Sequence, residues 1–111
     1  MTWQEAREAC RKKGPNHDLV SVHSKKEQMF LTSMLAYSKK SAWIGLKRAE
    51  GQYHRFIWSD NSRFDFDYWA PREPNSYIDG CVEMMGEPPS AGKWNDRKCI
   101  RKAAYICQRY K

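Results

Sequence analysis

The sequence predicts an α+β fold, on three observations. Both helical stretches lie before residue 41, short aromatic-rich strand segments fill the remainder of the chain, and the 4 cysteines stand without zinc-type spacing. Segregation of helices from strands argues for α+β rather than for the alternation that builds an α/β sheet. At 111 residues the chain is the size of one domain, residues 1–111, large enough for a core yet near the size at which extracellular folds add covalent staples.

The first helix is signalled by Thr2 and Glu5, a capping box whose hydroxyl and carboxylate each take a backbone N–H of the first turn. Trp3, Ala6, Ala9 and Cys10 follow at helical spacing, with the helix expected over residues 3–13 and Gly14-Pro15 as its stop. Residues 19–22 read as a short strand. Ser24 and Glu27 open a second capping box, and Met29, Phe30, Met34, Leu35 and Tyr37 are spaced for burial on a helix ending near Lys39-Lys40. Strands are then expected at residues 42–46, 56–58, 81–85, 93–94 and 104–108. Between Ser59 and Gly80 little regular structure is predicted. A loop of that length in a compact domain is functional or disordered, and because it carries Phe66, Tyr68 and Trp69 it is read as ordered and functional. Trp43, Trp58, Trp69 and Trp94 are read as core.

The cysteines stand at 10, 81, 99 and 107, with no Cys-x-x-Cys pair and no histidine at ligand spacing, so disulfides are expected rather than metal thiolates. Three pairings are possible. The nested one, Cys10 with Cys107 and Cys81 with Cys99, is chosen because it ties the termini together and closes one loop. Two bridges imply an oxidising, secreted or extracellular setting. With no leader, lipidation site or apolar run of membrane-spanning length in the sequence, a mature or excised extracellular domain is expected. No Asn-x-Ser/Thr glycosylation signal is present.

The net charge of +7 arises from 20 basic and 13 acidic residues. Basic pairs, Lys12-Lys13, Lys25-Lys26, Lys39-Lys40, Arg97-Lys98 and Arg101-Lys102 among them, are dispersed along the chain, which reads as a solvated surface, with attraction for anionic partners such as sulfated or phosphorylated glycans or acidic membranes as the functional alternative. Nothing resembles a base-reading motif, so nucleic acid is not an expected partner. His17, His23 and His54 sit apart with no nucleophile pattern; surface or capping roles are expected, and no enzyme.

The densest chemical signal is oxygen. Glu73-Pro74-Asn75, Asp79-Gly80-Cys81 and Trp94-Asn95-Asp96 gather five oxygen-bearing side chains, Glu73, Asn75, Asp79, Asn95 and Asp96, into stretches that a Cys81 to Cys99 bridge would hold together. Calcium takes about six to eight oxygen ligands and wants neither thiolate nor imidazole. A Ca2+ site is therefore the first functional expectation.

In order, Trp43-Ile44-Gly45-Leu46, Trp58, Trp69, Glu73-Pro74-Asn75, Cys81-Val82-Glu83, Trp94-Asn95-Asp96, Cys99 and Tyr105-Ile106-Cys107 strongly resemble the C-type lectin domain over residues 3–108. The resemblance implies the C-type lectin-like double-loop fold, two helices with antiparallel sheet and a long calcium- and ligand-binding loop region, and the same cysteine pairing. One departure is N-terminal, where the family's extra strand is missing or shortened. By resemblance, Glu73, Asn75, Asp79, Asn95 and Asp96 are both the metal ligands and the sugar-binding residues, and Asp96 adds its carbonyl. The Glu-Pro-Asn order resembles mannose-type sites, which take vicinal equatorial hydroxyls as in mannose, fucose or N-acetylglucosamine, and Pro74 is expected in the cis form. Ionised Glu73 only accepts hydrogen bonds whereas the Asn75 amide can donate, so the pair is directional toward a bound hydroxyl.

The short spacing from Asn75 to Asp79, and an Asp where Glu is common, lower the expected calcium affinity. The family's accessory calcium site needs acids where this chain has Arg48, Ser76 and Gly80, so one ion is expected. Tyr77 is a candidate to stack on sugar. The implied function is a calcium-dependent lectin for glycans or glycoproteins, multivalent as a homo-oligomer or within a larger protein. The alternative is an interaction module on the same fold that binds a protein, mineral or ice, with calcium only ordering the loop.

Overall fold

The computed structural model of the chain describes residues 1–74 and 80–110. Asn75, Ser76, Tyr77 and Asp79 lie outside the described residues. Helix α1 (Trp3–Arg11) begins with the full capping box: Thr2 accepts from the Glu5 N–H, and Glu5 accepts from the Thr2 N–H. It ends two residues before the expected boundary, where the Lys12 N–H donates to Glu8 and Cys10 carbonyls ahead of Gly14 in a positive-φ conformation. Its buried stripe is Trp3, Ala6 and Cys10, three of the four positions the spacing predicts, with Ala9 half-buried at its border.

Helix α2 (Lys25–Ser38) departs from expectation in two ways. Ser24 caps it by accepting from the Glu27 N–H, but the Glu27 carboxylate reaches back to His23 N–H at 2.7 Å, one residue before the cap. Its buried residues are Gln28, Leu31 and Leu35, whereas Phe30, Met34 and Tyr37 are 67%, 47% and 93% exposed. Positions i, i+3 and i+7 share one helix face, so a face that includes Leu31 and Leu35 runs through Gln28 and leaves Phe30, Met34 and Tyr37 on the outer side. Gln28 is buried because its polar atoms are used: its amide donates to the Gly92 carbonyl and the Thr32 hydroxyl, and its oxygen accepts from Trp94 Nε1.

Strand β1 (His17–Leu19) lies slightly earlier than expected and pairs antiparallel with β7 (Cys107–Arg109). The larger sheet runs β3 (Gln52–Trp58), β2 (Ala42–Ala49), β4 (Cys81–Met84), β5 (Trp94–Arg97), with β6 (Ala104–Tyr105) alongside β2 in parallel. The single strand expected at residues 104–108 is thus split between two sheets. The switch is at Ile106, whose N–H donates to the Trp43 carbonyl and whose carbonyl accepts from the Val20 N–H. Gly45 sits at the crossing. A Cβ there would approach the Leu19 and Val20 carbonyls to 3.1 Å and the Ser59 hydroxyl to 2.8 Å, so a larger residue would push the sheets apart.

Strand β2 separates two packed layers. On one side Ile44, Leu46, Phe56, Trp58, Val82, Met84 and Trp94 meet Leu31 and Leu35 of α2; on the other Trp43 meets Trp3, Ala6, Cys10, Leu19 and Cys81. Trp43, Trp58 and Trp94 are fully buried and Trp69 is half-buried against the first layer, in line with their reading as core. Both expected disulfides form, Cys10–Cys107 and Cys81–Cys99. The two helices, antiparallel sheet and nested bridges are the predicted α+β architecture.

Candidate calcium and ligand site

The site is built on the outer edge of β5. The strand expected at residues 93–94 extends further, so that Asn95 and Asp96 are strand residues, in register with Glu83 and Val82 of β4. Backbone groups along an antiparallel strand alternate between the neighbour and the open side. The Trp94 N–H and carbonyl turn outward, bonding to the Tyr68 carbonyl and the Ala70 N–H. Two positions on, the same alternation turns the Asp96 carbonyl to that outer edge.

The residue 68–70 segment runs parallel to β5 through the Trp69 to Trp94 bridge, so the turn after it falls at the Asp96 end of the strand. That turn is closed by the Glu73 N–H donating to the Ala70 carbonyl at 3.0 Å, with Arg72 at φ 69° inside it. Aromatic packing fixes the segment: Trp69 lies 5.7 Å from Trp94 and 5.0 Å from Phe56, and Phe66 lies 6.1 Å from Trp94. The Glu73-Pro74 peptide is cis, as expected. Of the five expected donors, Glu73, Asn95 and Asp96 are described, and Asn75 and Asp79 are not. Among the described residues no group of three or more His, Cys, Asp or Glu side chains gathers as a metal centre.

A cation already reaches Asp96. The Arg48 side chain on β2 is 8% exposed, and its guanidinium donates to Asp96 Oδ2 at 3.3 Å, with the Asp96 side chain fully buried. The guanidinium carbon stands 4.9 Å from the Phe56 ring centre. The Arg48 N–H donates to the Gly80 carbonyl at 2.7 Å, and a Cβ at Gly80 would collide with the Arg48 Cβ. Glycine at 80 is therefore what lets the chain entering β4 lie against Arg48. Carboxylate, amide and edge-strand carbonyl oxygens are donors that suit a hard cation, so the described part of the set fits calcium.

Two networks escaped the sequence reading. His23 Nδ1 donates to Asp65 at 2.9 Å and its Nε2 lies 3.0 Å from the Ser62 hydroxyl, which has the outline of a nucleophile triad. The Ser62 proton, however, goes to the Asp60 carboxylate, as does that of Ser21, so the imidazole is not poised to activate either hydroxyl. Burial alone pushes the Asp60 carboxyl up, but hydrogen bonds from Ser62 and Ser21 outweigh it and hold the group below its ordinary 3.8. The second network is Glu83, 1% exposed on β4, whose oxygens accept from Arg97 at 3.2 Å and from Arg101. The Arg97-Lys98 and Arg101-Lys102 pairs were the available signal for it.

Comparison with known proteins matches residues 1–109 to the family described as Lectin C-type domain. The chain is 38% identical to the human C-type mannose receptor 2 over 97% of its own length, and spans 7% of that receptor. Among solved structures, it matches the cow C-type carbohydrate-recognition domain of CD23, in the presence of a GlcNAc2Man3 oligosaccharide, at TM-score 0.82 and 35% identity, covering 100% of this chain and 82% of that one. It also matches a calcium-independent type II antifreeze protein at TM-score 0.83 and 27% identity, over 98% of this chain and 79% of that one. Among the described residues no helix is long and apolar enough to cross a membrane.

Proposed function

The chain belongs to the C-type lectin domain family, which is non-enzymatic, and from that premise we propose that it is a calcium-dependent carbohydrate-binding domain of the mannose type. Glu73, Asn75, Asp79, Asn95 and Asp96 are the proposed ligands of one Ca2+, with the Asp96 carbonyl as a further donor. The observation that carries the reading is the parallel run of residues 68–70 along β5, which directs the chain leading to Glu73 toward the Asp96 end of that strand. A bound Ca2+ supplies Lewis-acidic coordination positions for two vicinal hydroxyls of a sugar. The protein's own part is direction: Glu73 accepts hydrogen bonds, the Asn75 amide donates, and the two select hydroxyls whose protons can be shared that way. Mannose, fucose and N-acetylglucosamine present such pairs.

A single shallow site binds weakly, so glycan recognition at the cell or pathogen surface rests on several sites, in a homo-oligomer or a longer multivalent chain, secreted or displayed outside the cell. The test is calorimetric titration with Ca2+, then with mannose and galactose in calcium and in EDTA. Calcium-dependent binding of mannose over galactose is expected. Sugar binding that ignores EDTA, or no binding of any mannose-type sugar, would overturn the reading.

The Arg48 to Asp96 pair supports a second reading, in which the same fold binds a protein, mineral or ice surface and calcium only orders the loop. A side-chain cation is already next to one proposed ligand, and one similar structure is calcium-independent. An Asn75→Ala, Asp96→Asn variant that keeps full affinity for a protein partner would favour it.

A further inference from the structure

The basic pairs are not as dispersed in space as in sequence. Lys39, Lys40, Arg97, Arg101 and Lys102, drawn from three of those pairs, line one groove of about 520 Å3 over the buried Glu83. The two arginines are fixed from below. Each gives an N–H to one oxygen of Glu83, whose side chain is 2% exposed, while their own side chains remain 39% and 38% exposed. A guanidinium carries five N–H donors in a rigid fork, so one contact apiece holds the forks in place and leaves donors facing the groove. Glu83 is matched by both arginines, so its charge is spent inside the fold. The three lysines are exposed at the rim, and Glu87 is the other carboxylate of the lining.

We propose that this groove is a second binding site, selective for the sulfate esters of a sulfated glycan and independent of calcium. Several separated cations match a polymer carrying a charge on successive sugars better than one compact anion. Among the described residues no aromatic side chain lines the groove, so it offers none of the stacking platform that single-stranded nucleic acid uses. It also adjoins the proposed sugar site. Asn95 and Arg97 lie two residues apart on β5 and therefore on one face, about 7 Å from each other along the strand. That adjacency, which rests on the reading of Asn95 as a calcium ligand, would let one glycan place a neutral sugar on the ion and a sulfated neighbour in the groove.

The experiment is calorimetry of the wild type, in EDTA, with a fully sulfated heparin tetrasaccharide and its desulfated counterpart. Two variants of equal charge accompany it: Lys39→Gln, Lys40→Gln, Lys102→Gln at the rim, and Lys12→Gln, Lys13→Gln, Lys26→Gln on exposed positions outside the groove. Both leave the Arg97, Arg101 and Glu83 network intact, so folding is retained. Binding of the sulfated probe alone is expected, weakened about tenfold or more by the rim variant and within about twofold by the distant one. Equal weakening in both would overturn the site in favour of general charge attraction. Loss of binding in EDTA, or equal binding of the desulfated probe, would also overturn it. So would groove-dependent binding to phosphatidylserine vesicles without tetrasaccharide binding, which would assign the groove to a membrane surface. Because the measurement is made without calcium, failure of mannose binding leaves this result standing, and the reverse holds too.

Discussion

At the scale of single residues the chemistry turns on Arg48. A buried carboxylate such as Asp96 is tolerable only when a countercharge or hydrogen bonds replace its lost hydration, and Arg48 supplies part of that from the next strand but one. Removing one partner of a buried pair leaves the other uncompensated, at about 3 to 5 kcal/mol. Arg48→Met is therefore expected to lose stability of that order in urea unfolding with calcium chelated, and the double variant with Asp96→Asn to recover part of it. Added calcium should stabilise Arg48→Met more than the wild type, because the ion brings the charge that the variant lacks. Equal unfolding midpoints of wild type and Arg48→Met in EDTA would refute this. The five proposed donors could be named from the sequence because a motif needs only order and spacing, and of them the structure describes Glu73, Asn95 and Asp96. Arg48 was legible as a misplaced cation, but not as the partner of Asp96, 48 residues away, since only the sheet order brings them together.

Among the elements, α1 was readable almost to the residue because its cap and its buried stripe agree. The buried face of α2 was not, because Met29, Phe30, Met34, Leu35 and Tyr37 suggested a stripe by hydrophobicity alone, while a satisfied polar residue, Gln28, holds the face against Trp94. Hydrogen bonds that make a glutamine buriable are made across the fold and leave no local mark. The same is true of the residue 59–65 segment. Asp60 accepts from Ser21, Ser62 and Gln108, and so ties the loop after β3 to the chain beyond β1 and to β7. Its carboxyl is held below its ordinary 3.8, through hydrogen bonds from Ser62 and Ser21 that overcome the opposing effect of burial. A carboxyl depressed in the folded state binds fewer protons there than in the unfolded chain, so its contribution is complete above the unfolded value and is lost as pH falls through the folded one. Between pH 6 and pH 3 the wild type is expected to lose more unfolding free energy than Asp60→Asn. Parallel losses in a denaturant series at both pH values would show that Asp60 adds nothing to acid sensitivity.

For the whole molecule the two bridges divide the work of stability and site geometry. Cys10–Cys107 joins positions 97 residues apart and ties α1 to the small β1–β7 sheet, whereas Cys81–Cys99 spans 18 residues and closes the chain around β4 and β5. In the chain-entropy account a closure near 100 residues contributes about 4 to 5 kcal/mol and one near 15 about 3 kcal/mol. Cys10→Ala, Cys107→Ala should therefore be the more damaging pair in thermal unfolding. Calcium affinity should rank the other way. Cys81 follows Gly80, where the proposed ligand loop rejoins the sheet, and Cys99 follows β5, which carries Asn95 and Asp96. Loosening that closure frees the strand that aims the donors, an effect analogous to losing the hydrogen-bonded partners that orient metal ligands, which costs about 10-fold to 100-fold in metal affinity. Cys81→Ala, Cys99→Ala is thus expected to stay folded at low temperature while its calcium titration weakens by about tenfold or more, and the long-range pair, where folded, to bind calcium as the wild type does. Equal loss of calcium affinity in both variants would mean that the site depends on the stability of the whole fold and not on the local bridge.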